Sequence, residues 1–239
     1  MMTTTAKNLA DVVARVSAAA RRASRKPEAV RLVAVSKTKP VEQLAECYEA
    51  GQRCFGENYV QELVDKAPRM PSDVSWHFIG HLQSNKAKLI VDKVPNLTAV
   101  ETVDSVKLAN KLNGAVEAAT ERSAGALRVM VQVNTSGEES KHGLAPGADV
   151  VALAKHIVEN CPQLAFSGLM TIGMPDYTSK PENFETLKKC RAEVCAALGL
   201  NEDACELSMG MSGDFEAAIE MGSTNVRVGS TIFGARNYA

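Results

Sequence analysis

Charge of a single sign is missing from this 239-residue chain: 27 Lys and Arg stand against 28 Asp and Glu, a formal net charge of −1 at pH 7. That balance excludes the basic footprint with which proteins gather nucleic-acid phosphates. Long apolar runs are missing too. A membrane-spanning helix needs roughly 20 such residues, whereas segments such as Leu127 to Val133 are strand-sized. No apolar leader of the secretory kind opens the chain. Six cysteines (Cys47, Cys54, Cys161, Cys190, Cys195 and Cys205) never fall as Cys-x-x-Cys, which removes the common zinc and dithiol motifs. Cys190 and Cys195, five apart on an expected helix, point to different faces. Free thiols, a reducing compartment and a cytoplasmic location are the expectation. No Ser-, Gly- or Pro-rich linker divides residues 1–239, so one domain is expected.

A hydrophobic share of 45% and a charged share of 23% exclude disorder and low complexity. Residues 1–26 are rich in Ala, Ser, Thr and Arg, with Asp11 the only acid, a composition shared with mitochondrial import leaders. Leu9, Val12, Val13 and Val16, however, recur at helical spacing, which favours an amphipathic helix packed on the domain.

Beyond Pro27, short β-branched runs alternate with longer amphipathic stretches. The predicted strands are Val30 to Ser36, Arg53 to Gly56, Ser75 to Ile79, Thr98 to Glu101, Leu127 to Val133, Phe166 to Thr171, Cys205 to Ser208 and Asn225 to Val228. The predicted helices between them are Val41 to Ala50, Tyr59 to Lys66, Ser84 to Val94, Ser105 to Thr120, Asp149 to Asn160, Glu182 to Leu198 and Asp214 to Met221. Strictly alternating strands and helices imply a parallel sheet with crossover helices. Eight units at this length fit a (β/α)8 TIM barrel better than the alternative, an open Rossmann-like sheet. Lys37-Thr38-Lys39-Pro40 follows the first strand where a dinucleotide site would carry Gly-x-Gly-x-x-Gly. Chemistry in a barrel gathers where the strands end.

Lys37 closes a strand apolar enough to be buried on both faces. Desolvation favours its neutral amine, the species that condenses with carbonyls; the plainer reading is a lysine that reaches solvent or pairs with Glu57. Gly229-Ser230-Thr231 after the last strand, and Met209-Gly210-Met211-Ser212-Gly213-Asp214 after the one before, combine glycine, hydroxyls and a helix start. Barrels commonly bind phosphate at those two places; the plainer reading is turn chemistry with Ser212 or Asp214 as a helix cap. Arg227, between Val226 and Val228, points inward and needs an acceptor, either a carboxylate or a ring nitrogen. His77 and His81 share the spacing of a helical metal pair but fall on a strand and a turn, and His142 has no evident partner, so no metal is expected. No Ser-His-Asp order can be assigned from spacing.

Ala34-Val35-Ser36-Lys37-Thr38-Lys39-Pro40, Phe55-Gly56-Glu57-Asn58, Trp76-His77-Phe78-Ile79-Gly80, Leu82-Gln83-Ser84-Asn85-Lys86, Leu207 to Ser212 and Val228 to Arg236 are long, unusual words that together span most of the chain. On them the sequence resembles the pyridoxal phosphate homeostasis protein family. The resemblance implies a fold type III barrel like the N-terminal domain of alanine racemase. It further implies pyridoxal 5′-phosphate held as an aldimine on Lys37, Arg227 opposite the pyridine nitrogen, and Ser212, Gly229, Ser230 and Thr231 around the phosphate. Asn58 and Met209 would lie beside the ring. The implied function is vitamin B6 homeostasis without established turnover, with apo-enzymes as recipients, no membrane or nucleic-acid partner, and a monomer; the alternative is an amino-acid racemase or lyase. Tyr59 stands where many relatives carry arginine, and Ser230 where others vary. The chain ends at Ala239, directly after the expected barrel, so it would not supply the additional domain with which racemases place a second proton-transfer group. A cofactor-free aldolase-like barrel using Lys37 is a third reading.

Overall fold

The computed structural model describes residues 2–138, 142–172 and 181–235. An N-terminal helix, α1 (Thr4–Arg22), precedes eight strand-and-helix units. The first four are β1 (Arg31–Val35) and α2 (Val41–Glu49), β2 (Cys54–Glu57) and α3 (Val60–Lys66), β3 (Ser75–Phe78) and α4 (Ala87–Lys93), and β4 (Leu97–Val103) and α5 (Val106–Ala118). The others are β5 (Leu127–Gln132) and α6 (Ala148–Asn160), β6 (Leu164–Met170) and α7 (Pro181–Leu198), β7 (Glu206–Ser208) and α8 (Phe215–Glu220), and β8 (Asn225–Val228) and α9 (Ser230–Phe233).

Every strand pairs in parallel with its sequence neighbours, and β8 returns to β1 in the register Arg31 to Asn225 through Ala34 to Val228. The sheet is therefore a closed (β/α)8 barrel and not the open alternative. Each predicted strand matches an observed one within two residues at either end.

Strand alternation sorts the side chains into two environments. Phe55, Trp76, Phe78, Val129, Val131, Val226 and Val228 join the core shared with the helices. Their in-between neighbours His77, Ser208, Asn225 and Arg227, with Glu101, form one hydrogen-bonded set inside the barrel. The outer layer supplies most of the hydrophobic stabilisation; truncating one of its large side chains to Ala costs about 2–5 kcal/mol.

Thr3 caps α1 by accepting a hydrogen bond from the Ala6 amide. Leu9, Val12, Val16, Ala19 and Ala20 are buried against the barrel's helices, while Val13 is 45% exposed. Positions 9, 12, 16 and 19 already complete one stripe, and Val13 falls beside it. Arg15 pairs with Glu216 on α8, and the Asn8 side-chain amide donates to the Ile232 carbonyl on α9, so the helix closes the barrel's β8 side. All six cysteines are free and five are buried.

Candidate active site at the barrel mouth

Lys37, half-buried, follows β1 at the C-terminal mouth of the barrel. Its flanks are held from beneath by a buried ion cluster. Lys66 Nζ donates to the Ser36 carbonyl at 2.9 Å, to Glu57 Oε1 at 2.8 Å and to Glu62 Oε2 at 2.6 Å. The Ser36 hydroxyl donates to Glu57 Oε1 at 2.7 Å, and the Thr38 amide to Glu62 Oε2 at 2.8 Å. Thr38 itself has φ +62°, a left-handed conformation uncommon outside glycine and asparagine. The residues before and after Lys37 are thus tied to one ammonium. Glu57, offered by the sequence as a partner for Lys37, is held by Lys66 and Ser36. Burial raises the Glu57 pKa, against the pull of Lys66 and Ser36. Its Oε2 meets no hydrogen-bond donor among the described residues.

The two phosphate-type turns meet through Ser212. Its hydroxyl oxygen accepts from the Gly229 amide at 3.2 Å and the Thr231 amide at 3.5 Å, so it reaches into the β8 turn and does not cap its own helix. Asp214 turns back within its loop, accepting from the Met211 amide at 2.6 Å. Burial raises the Asp214 pKa, against the pull of that amide and of Arg227. Gly229 lies against β1: a Cβ there would sit 3.2 Å from the Val35 carbonyl oxygen. Lys39 Nζ ties the β1 loop to the Ala235 carbonyl at 2.6 Å. Ser230 is exposed and Thr231 half-buried at the start of α9; Arg236 lies outside the described residues.

Arg227 is 4% exposed and points inward, as its position between two valines requires. It donates to the Ser208 hydroxyl and, at 2.7 Å, to the Thr171 carbonyl. Ser208 in turn donates to Glu101 Oε2 at 2.5 Å, while the Asn225 side-chain amide and His77 Nδ1 lie 2.9 Å and 2.5 Å from Glu101 Oε1. Burial alone would raise the Glu101 carboxyl, yet His77, Arg227 and Ser208 hold it down to about 2. Burial likewise opposes the charge on His77, but Cys54 and Glu101 lift it to about 9. Burial lowers the Arg227 pKa as well, though a guanidinium so placed stays charged. Two cations, His77 and Arg227, thus share the one carboxylate of Glu101, and Asp214 acts on Arg227 from the β7 turn.

Sequence reasoning brought Lys37, Ser212, Arg227, Gly229, Ser230 and Thr231 to the β7–β8–β1 side of the mouth, and the structure puts them there. Asn58 follows β2, half-buried, with its Oδ1 buried and without a hydrogen-bond donor among the described residues. Met209, directly after β7, is fully buried and belongs to the hydrophobic core. Glu101, Ser208, Asn225 and Lys66 were missed. Glu101 had a signal, an acid inside the run Leu97 to Val103, whereas Lys66 reads as an ordinary helix-end lysine. His142 does have a partner: its ring stacks on His81 with centroids 3.7 Å apart.

Residues 8–237 match the family model described as alanine racemase, N-terminal domain. A Bos taurus protein named pyridoxal phosphate homeostasis protein is 55% identical over 217 residues, 87% of this chain and 78% of its own. A Vibrio alginolyticus protein of the same name is 42% identical over 245 residues, covering 100% of both chains. The solved structure of PipY from Synechococcus elongatus with PLP bound superposes with a TM-score of 0.76 at 33% identity, over 96% of this chain and 100% of that one.

Proposed function

Since the chain belongs to the alanine racemase N-terminal-domain family, and within it to the pyridoxal phosphate homeostasis proteins, we propose that it binds pyridoxal phosphate covalently through Lys37 and carries it without turning over a substrate. The observation that carries this reading is convergence. One amine, one permanently charged guanidinium and two turns bridged by Ser212 open on the same side of one barrel mouth. PLP is present in the similarly folded PipY.

The donor set fits the cofactor. Lys37 supplies an amine for its aldehyde. Ser212 and the amides of Gly229, Ser230 and Thr231 supply neutral hydrogen-bonding groups for its phosphate, and the tight packing of Gly229 on β1 keeps that turn free of side chains. The buried, unpaired Asn58 Oδ1 offers an acceptor beside the ring. Met209 contributes the packing beneath.

Pyridoxal phosphate supplies an aldehyde and a ring that withdraws electrons when its nitrogen is protonated. Arg227 has guanidinium protons beyond those used by Ser208 and Thr171. A permanent cation facing the ring nitrogen disfavours its protonation. That weakens carbanion stabilisation and suits storage over catalysis. Hand-over to apo-enzymes, a monomeric state and a cytoplasmic location complete the proposal.

The test is the visible spectrum of the purified chain before and after borohydride. A yellow band in the wild type, trapped as a mass increment on the Lys37 peptide and absent from Lys37→Ala, is expected; a colourless protein that takes up no pyridoxal phosphate overturns the reading. The racemase or lyase reading, favoured by the alanine-racemase fold, requires solvent deuterium to enter the α-position of an amino acid in a Lys37-dependent way.

A further inference from the structure

Across the barrel from the β8–β1 side, the ends of β3, β4 and β5 bring together His81, Asp104 and His142. Their ligand-type atoms all lie within 4.8 Å of one another, the one such group of three among the described residues. We propose that these side chains form an open site for a divalent cation of the zinc, cobalt or nickel class.

The backbone holding each residue is fixed. Gly80, before His81, presses on the β2 loop so closely that a Cβ there would fall 2.0 Å from the Asn58 carbonyl oxygen. The Gly80 carbonyl also accepts from the Thr102 hydroxyl at 2.6 Å. Asp104 directly follows β4 and keeps its side chain 19% exposed. The His142 carbonyl accepts from the Gln132 side chain at 3.0 Å, and Leu144 is bonded back to β5 through Gln132 and Asn134.

The side chains, by contrast, can adjust. The His81 side chain is 39% exposed, with Nδ1 3.6 Å from Asp104 Oδ2, and His142 stacks on it at an interplanar angle of 9°. Ligands about 2.1 Å from a tetrahedral ion stand about 3.4 Å apart. Because an ion lies in the plane of each imidazole that binds it, the two stacked rings must swing out of their parallel arrangement to share one, and the exposure of both side chains allows this. Two imidazole nitrogens with one carboxylate select borderline transition ions over magnesium or calcium, which prefer all-oxygen shells. Three protein ligands leave a coordination position for water or an incoming anion, the pattern of an exchangeable site rather than a closed structural one. Asp104 offsets part of the ion's charge. The site shares no residue with the Lys37 side of the mouth, so it stands whether or not cofactor is bound.

The experiment is calorimetric titration of the chelator-stripped full chain with Zn2+, repeated in Cys54→Ser, which removes the one cysteine that is not buried. One ion per chain is expected in both backgrounds. His81→Ala, His142→Ala and Asp104→Asn should each weaken binding at least tenfold, since losing even an outer-sphere partner costs roughly 10- to 100-fold. All three positions are solvent-accessible, and unchanged melting temperatures would verify intact barrels. Zn2+ bound equally by the His81→Ala/His142→Ala double variant overturns the site, as does its loss in Cys54→Ser, which assigns the ion to the thiol. Absence of binding at millimolar Zn2+ overturns it equally.

Discussion

Two buried charge clusters flank the mouth, and they are built to opposite designs. The Lys66 cluster lies under α3 and surrounds one cation with two carboxylates and a carbonyl. The Glu101 cluster lies inside the barrel and surrounds one carboxylate with two cations, a serine and an amide. The first bonds to the main chain on both sides of Lys37. The second bonds mostly to side chains and keeps Arg227 and His77 paired beneath the mouth. Buried charges persist only when paired; here the pairing also divides the labour, one cluster fixing geometry and the other electrostatics.

The largest way to break this comparison is Glu101→Leu. It strands His77 and Arg227 without their shared carboxylate, and removing one member of a buried ion pair costs about 3–5 kcal/mol. Urea unfolding should report a loss of that size; a loss below about 1 kcal/mol would mean the interior cations are solvated some other way.

pH should separate the clusters next. Glu101 is depressed to about 2 from 4.5, so its stabilisation is complete above the unfolded value and is lost as pH falls from 4.5 towards 2. His77 is raised to about 9 from 6.5, so its contribution is complete below 6.5 and fades as pH rises from 6.5 to 9. Glu57 has the opposite sense to Glu101: its raised pKa means that protonation on acidification relieves a burial penalty. Thermal melts across pH should therefore fall away from a maximum between these limits. In Glu101→Leu the acid-side fall should be shallower, because the group that loses stability there is gone.

Lys66→Met is expected to cost less, about 1–3 kcal/mol, because Glu57 can take up a proton and Glu62 is 28% exposed. Its signature is functional. With Ser36 and Thr38 released, capture of pyridoxal phosphate by Lys37 should slow while the Glu101 cluster keeps its pH profile. Restoration of the capture rate by Lys66→Arg would sharpen the assignment; an unchanged rate in Lys66→Met would remove the geometric role. The smallest effect belongs to Glu57→Gln, within about 1 kcal/mol, since Lys66 keeps Glu62 and the Ser36 carbonyl. A larger loss would identify Glu57 as the main anchor of Lys66.

Much of this protein can be read along the chain. Runs such as Arg31 to Val35 and Asn225 to Val228 announce strands because β-branched side chains suit a pleat buried on both faces. A lysine at the end of one such run, and an arginine between two valines in another, are conspicuous for the desolvation they imply. Partners are harder. Glu101 is 107 residues from Ser208 and 124 from Asn225, and no local pattern says which distant strand will present an inward hydroxyl or amide. Ser212 resembles a cap for its own helix, yet it turns to the Gly229 and Thr231 amides because closure of the barrel sets the β7 and β8 turns side by side.

By itself the sequence determined the alternation of strands and helices, the amphipathic stripe of α1, and which residues follow the strands at the mouth, since burial period and turn composition are local properties. Tertiary structure alone decided that Lys66 reaches Glu57, that Glu101 joins His77 to Arg227, and that His81 meets His142. Those outcomes depend on barrel closure and strand register, which bring side chains from separate strands within hydrogen-bonding distance of each other.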